Sequence, residues 1–208
     1  MHIRLEGIAK RFRKEWIFRN VNLSFQAPHK YAIVGANGSG KSTLLQLIAG
    51  IGMATEGTVY YEFESEIKTA EEMATQFSFS APYQELPEEF TGNELFDFHF
   101  KFREKTAPFA AKKFFELIQL VNEGDKHIKY YSSGMRQRLK LGLCVFTQAK
   151  AYFLDEPTTN LDKKGIEWYQ RLLKEQLEDK LLLVSSNIEE EYKICDSIVN
   201  IYDFKTSS

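Results

Sequence analysis

The sequence predicts an α/β fold with a mainly parallel central sheet, helices on both of its faces and a small antiparallel β addition at the N-terminal end. Three observations predict it. Near-continuous apolar runs at 31–34, 151–154 and 181–185 alternate with helical patterns, which is the order that builds a covered parallel sheet. The segment 21–26 instead alternates apolar with polar residues, as a half-buried strand does. The run at 31–34 ends in a glycine-rich loop that leads straight into a helical pattern.

Taken along the chain, Ile3 and Leu5 suggest a first short strand. Val21, Leu23 and Phe25 alternate with Asn22, Ser24 and Gln26 in a second. After the 31–34 strand, 41–49 reads as a helix stopped by Gly50 and Gly52. Residues 58–63 are rich in β-formers. The stretch 94–121 looks helical and is broken near Pro108. A helix is expected at 132–149, a buried strand at 151–154, a helix at 163–177 and a buried strand at 181–185. A short helix at 189–194 and a strand at 198–202 complete the pattern. The tail Lys205–Ser208 reads as frayed.

The 208 residues suffice for one well-cored domain or one domain with a subdomain. Hydrophobic residues at 43% and charged residues at 27% are ordinary for a soluble globular protein. A net charge of −2 provides no global basic field for nucleic acid. Arg4, Lys10, Arg11, Arg13, Lys14 and Arg19 read as a solvated face, because acids elsewhere offset them. Cys144 and Cys195 lie far apart and form no C-x-x-C pair, which argues against a disulfide framework or zinc site and for a reducing cytosol. The N-terminal stretch carries charge from Arg4 and lacks the apolar core of a signal peptide. No apolar run is long enough to span a membrane.

Two motifs carry chemistry. Gly35-Ala36-Asn37-Gly38-Ser39-Gly40-Lys41-Ser42 matches G-x-x-x-x-G-K-[ST] in full, with Thr43 following. Glycines let backbone N–H groups approach phosphate oxygens, and the next helix points its positive end at the same anion. Lys41 then reaches the β- and γ-phosphates, and the Ser42 hydroxyl coordinates Mg²⁺. The strand 151–154 leads into Asp155 and Glu156. Parallel sheets bind ligands at the carboxyl ends of their strands. Asp155 is therefore placed to hold Mg²⁺, and Glu156 to orient or deprotonate an attacking water. Standing alone, the two acids could equally cap a helix near Pro157.

These segments, in order, resemble the ATP-binding subunits of ABC transporters. Tyr131-Ser132-Ser133-Gly134-Met135, followed by Arg136-Gln-Arg, is similar to that family's Leu-Ser-Gly-Gly-Gln signature. Asp155-Glu-Pro-Thr-Thr-Asn-Leu-Asp162 resembles its Walker B and D-loop. Ile17-Phe-Arg-Asn-Val-Asn-Leu and Glu189-Glu-Glu-Tyr-Lys-Ile-Cys-Asp resemble its start and end. The resemblance covers essentially the whole chain. It implies a P-loop NTPase core over 1–208, with an α-helical subdomain inserted at about 85–145. It implies ATP and Mg²⁺ as ligands, and a head-to-tail dimer in which Ser132, Ser133 and Gly134 of a second chain close the ATP. Without the resemblance, Ser132–Gly134 would read as a plain helix cap. Asp162 would lie at the dimer seam.

The resemblance also implies roles that this sequence fills imperfectly. Gln84 is the candidate Q-loop ligand of Mg²⁺, although an ungapped reading puts Tyr83 there. Phe12, with Trp16 as runner-up, is the candidate adenine-stacking ring. Ser186 stands where the family carries a switch histidine, and Asn187 beside it offers a hydrogen bond to the γ-phosphate. Slow or partner-dependent hydrolysis is the expectation. Eight of the 17 phenylalanines fall between Phe90 and Phe115. They read as a subdomain core together with a groove for a separate transmembrane permease, on the inner face of the cell membrane. A soluble ABC-type ATPase and a binding-only regulator are the competing functions. No nucleic-acid partner is expected.

Overall fold

The computed structural model describes residues 1–205. Of the tail expected to fray, Lys205 alone lies within them. The elements in chain order are β1 (His2–Phe12), β2 (Glu15–Gln26), β3 (Lys30–Val34), α1 (Lys41–Ile48), β4 (Glu56–Phe63), β5 (Glu66–Lys68), α2 (Ala70–Met73), β6 (Phe77–Ser80), α3 (Gly92–Phe102), α4 (Ala111–Leu117), α5 (Ser133–Val145), β7 (Ala151–Asp155), α6 (Lys163–Gln176), β8 (Leu181–Ser186), α7 (Glu189–Tyr192) and β9 (Ser197–Asn200).

Two sheets form. The central one runs β6-β7-β8-β3-β9, with every neighbouring pair parallel. The other runs β2-β1-β4-β5 and is antiparallel. The α/β fold expected from the sequence is therefore present, with its small antiparallel addition. The continuous apolar runs follow from burial on both faces. Along β7 and β8, Tyr152, Leu154, Leu182 and Val184 enter the core shared with α3 to α6. Ala151, Phe153, Leu181 and Leu183 enter the core under α1 and the antiparallel sheet.

Three expectations need correction. The first strand is not short: β1 spans 11 residues and pairs on both sides. The stretch 94–121 is broken around Pro108 as expected, but its helical parts are shorter: α3 ends at Phe102 and α4 spans only Ala111–Leu117. The final strand stops at Asn200, whose side-chain oxygen accepts from Tyr202 N at 3.1 Å and turns residues 201–204 into a 3₁₀ helix.

Helix starts follow local chemistry. Thr91 and Glu94 form a reciprocal capping box at α3. Asp162 caps α6 by accepting from Gly165 N at 2.8 Å. Such a cap contributes about 1 kcal/mol. The phenylalanine cluster divides as its spacing suggests. Phe96, buried, meets Phe100 with centroids 4.9 Å apart. Phe98 meets Phe102 at 5.3 Å on the outer face. Cys144 is buried and Cys195 half-buried, and both are free.

Candidate functional site

The parallel register gathers the motif residues at one edge of the sheet. Val34 pairs with Ser186, and Asp155 pairs with Ser185. Gly35, Ser186 and Asp155 therefore leave the sheet side by side, at the carboxyl ends of β3, β8 and β7. Between β3 and α1 the chain turns through Gly35–Gly40. Gly40 precedes the helix at φ +104, a conformation that favours glycine. A Cβ there would also lie 2.4 Å from Ile17 Cγ2 on β2. A Cβ on Gly35 would meet Ile201 Cγ2 at 2.5 Å and Ser39 Oγ at 2.8 Å. Neither position has room for a side chain.

Within the loop, Ser39 N donates to Ala36 O at 3.1 Å, and Lys41 Nζ donates to the same oxygen at 3.1 Å. Lys41 and Ser39 are buried, while Ala36, Asn37 and Gly38 are exposed. The Ser39 hydroxyl is buried without a hydrogen-bond partner. Such an orphan, next to the free N–H groups opening α1, suits an anion. Ser42 Oγ donates to Asp155 Oδ1 at 3.0 Å, bridging the two motifs across the sheet edge. Burial pushes the Asp155 carboxyl above its ordinary range, and the Ser42 bond acts the other way. Thr43 follows on α1, half-buried.

Glu156 differs from its neighbour. It is half-exposed, at φ +40, and its N–H donates to Ser185 O at 2.8 Å. Ser186 is fully buried and Asn187 exposed. Ser132 Oγ accepts from Met135 N at 3.2 Å and caps α5. Ser132 and Ser133 are exposed. Among the described residues no hydrogen bond joins 132–134 to the phosphate loop.

The candidates read less firmly from the sequence fall as follows. Gln84 is exposed, and its Oε1 accepts from Ala81 N at 2.9 Å, so its amide is folded back on its own loop. It shares a cleft of about 390 Å³ with Ser133, Gln137 and Asn160. Tyr83 Oη instead accepts from Gln46 Nε2 of α1 at 2.6 Å. Phe12 and Trp16 stand on the β1–β2 hairpin tip, next to the Ile17 that crowds Gly40. Phe12 is 54% exposed with Lys10 over its ring. Arg11 and Arg19 lie over the Trp16 ring.

Three further polar residues were missed. Gln137 Nε2 donates to Pro157 O at 2.6 Å, tying α5 to the loop after β7. Lys140 Nζ donates to Ala81 O at 3.1 Å and Pro82 O at 3.0 Å, tying α5 to the loop after β6. Glu191 is buried against Thr158 and Ser186. All three sit among other polar residues of their helices, Glu191 in a run of three acids, so no local pattern marked them.

A phosphate loop between strand and helix, with a carboxylate strand brought beside it, defines a P-loop α/β protein. The chain belongs to the ABC transporter family, whose match spans residues 18–159. It is 28% identical to the ribose import ATP-binding protein RbsA of Bacillus licheniformis, over 99% of this chain and 44% of that one. It is 32% identical to the ribosome protection protein VmlR of Bacillus subtilis, over 88% of this chain and 31% of that one. The dimeric ATP-binding cassette MJ0796, solved with ADP and Pi, shares the fold at a TM-score of 0.82 and 20% identity, over 95% of this chain and 93% of that one. The chain spans 44% to 66% of the length of the first three curated relatives.

Proposed function

We propose that this chain is an ATP-hydrolysing subunit of an ABC transporter, one cassette with a helical subdomain, which dimerises around ATP and drives a separate membrane-spanning subunit. The observation that carries this is the Ser42–Asp155 bond at 3.0 Å, which joins the phosphate loop to the carboxylate strand. Lys41 and the loop N–H groups would hold the phosphates. Ser42 and Asp155 would hold Mg²⁺, with Gln84 joining if its amide swings away from Ala81. One hydroxyl and one carboxylate suit a hard cation that keeps phosphate and water among its ligands. When bound, Mg²⁺ neutralises charge on the β- and γ-phosphate oxygens. Glu156 would orient the attacking water.

The Ser132–Gly134 segment, exposed at Ser132 and Ser133, has no bond to the phosphate loop of its own chain among the described residues, which favours a role on the ATP of a second copy. A dimer of the cassette MJ0796 supports that reading by analogy of fold. Phe12 would stack on adenine from the hairpin beside Gly40. Phe98 and Phe102, 51% and 69% exposed, edge a cleft of about 490 Å³ with Leu86 and Leu95. An apolar surface of this kind suits a helix from a membrane partner. No helix among the described residues is long and apolar enough to cross a membrane, so the reading needs that partner and a place on the inner membrane face.

Purification of the tagged chain from membranes is expected to bring down a hydrophobic, multi-span protein. Recovery of ribosomes or RNA alone would overturn this reading in favour of a soluble ABC-type ATPase, to which the likeness to VmlR gives weight. We further propose that Ser186 makes hydrolysis slow. Asn187→His, at the exposed neighbour that leaves the buried Ser186–Glu191 contact intact, is expected to raise steady-state turnover in an assay that permits dimerisation. An unchanged rate there sinks the idea.

A further inference from the structure

We propose that Glu191 is a positioning residue for hydrolysis, fastening the loop that follows Glu156 to Ser186 at the end of β8. The inference rests on the ATPase reading above. Of the three consecutive acids at 189–191, Glu189 and Glu190 are exposed, whereas Glu191 is 1% exposed. A carboxyl is costly to bury unless hydrogen bonds satisfy it, and here both oxygens are used. Oε1 accepts from Thr158 N at 2.8 Å and also from the Thr158 hydroxyl. Oε2 accepts from the Ser186 hydroxyl. The helix that carries Glu191 is itself pinned, because Tyr169 Oη of α6 donates to Glu191 O at 2.9 Å.

The loop is thereby held from two sides. Gln137 of α5 grips Pro157 O at 2.6 Å, and Glu191 grips Thr158, the next residue. Glu156 lies immediately before this pair and Asp162 caps α6 after it. A loop anchored at consecutive residues has little freedom to shift the carboxylate that precedes it. Ser186 takes part in the same brace: it accepts from Ile188 N at 2.8 Å and commits its one proton to Glu191. Asn187, exposed beside it, is then the residue left to face a ligand. Burial raises the Glu191 carboxyl above its ordinary range, the Ser186 and Thr158 bonds oppose this, and Glu156 nearby adds to the rise.

Glu191→Gln keeps the shape and removes the charge that strengthens these bonds. It is expected to lower kcat about tenfold while the KM for ATP stays within about twofold. Thr158→Val removes one hydroxyl of the same brace and is expected to lower kcat as well. The double variant should be no slower than the slower single variant, because both cut one connection. Hydrogen exchange at the Thr158 amide is expected to rise about fivefold or more in Glu191→Gln. An unchanged kcat, a raised KM with kcat intact, fully additive losses or unchanged exchange would each overturn the proposal. A wild-type chain that binds ATP but never turns it over would instead sink the ATPase reading. The exchange comparison would then still decide whether Glu191 fastens the loop.

Discussion

Replacing Lys41 with alanine is expected to lower kcat/KM for ATP by about a hundred- to a thousandfold, the range seen when one charge-stabilising donor is removed from a preorganised site. The size of the effect follows from where the ammonium sits. Lys41 is the first residue of α1 and is 4% exposed, so its charge acts from within the fold rather than through water. Its Nζ rests on Ala36 O at 3.1 Å and so is already curled over the loop. The dipole of α1 adds partial positive charge at the same point. No other lysine or arginine is buried among the described residues of the loop. Lys41→Arg is expected to fail nearly as badly, because a guanidinium needs space that the closed loop lacks. Binding of a fluorescent ATP analogue and release of phosphate are the two measurements. Wild-type affinity and turnover in Lys41→Ala would mean that the loop does not hold the phosphates.

How much of this could be read from the sequence depended on whether the controlling interactions were local. The loop 35–42 could be read residue by residue, because strand, glycine turn and helix are consecutive. β7 and β8 could be read because burial on both faces leaves uninterrupted apolar runs. Other features depended on partners far along the chain. β1 looked short because Gly7 and the basic residues after it hide its pairing with Glu15–Gln26 and Glu56–Phe63. Gln137, Lys140 and Glu191 went unmarked because Gln137 and Lys140 bond 20 to 59 positions away and Glu191 bonds Thr158 33 positions away. Ser186 shows the same limit. Its identity, serine where a histidine was expected, was plain. Its full burial against Glu191 depended on how α7 folds back on β8. Residue types and their order can be read directly, whereas buried polar pairs across the fold cannot.

The second large effect is expected at Glu156. Glu156→Gln should lower kcat by about a hundred- to ten-thousandfold, the usual worth of a general base, and leave ATP binding nearly intact. The two neighbouring acids justify the split. Asp155 is buried and engaged by Ser42, so its loss would disturb the proposed cation site and with it binding. Glu156 is half-exposed, and its carboxylate is hydrogen-bonded to nothing among the described residues. Its backbone sits at φ +40, which is unusual for a side-chain-bearing residue, and the N–H bond to Ser185 O holds it there. A residue held in such a conformation with a free carboxylate is suited to act on water and not on packing. The amide of glutamine keeps the size and removes the basicity, so the fold and the phosphate contacts should survive. If ATP joins two copies, the variant should also accumulate as an ATP-bound dimer by size-exclusion chromatography, because the nucleotide that holds the copies together is no longer cleaved. Equal turnover in Glu156→Gln and wild type, with ATP bound by both, would favour a binding-only regulator. A loss of binding as large as the loss of rate would instead move Glu156 from water activation to the support of the cation site.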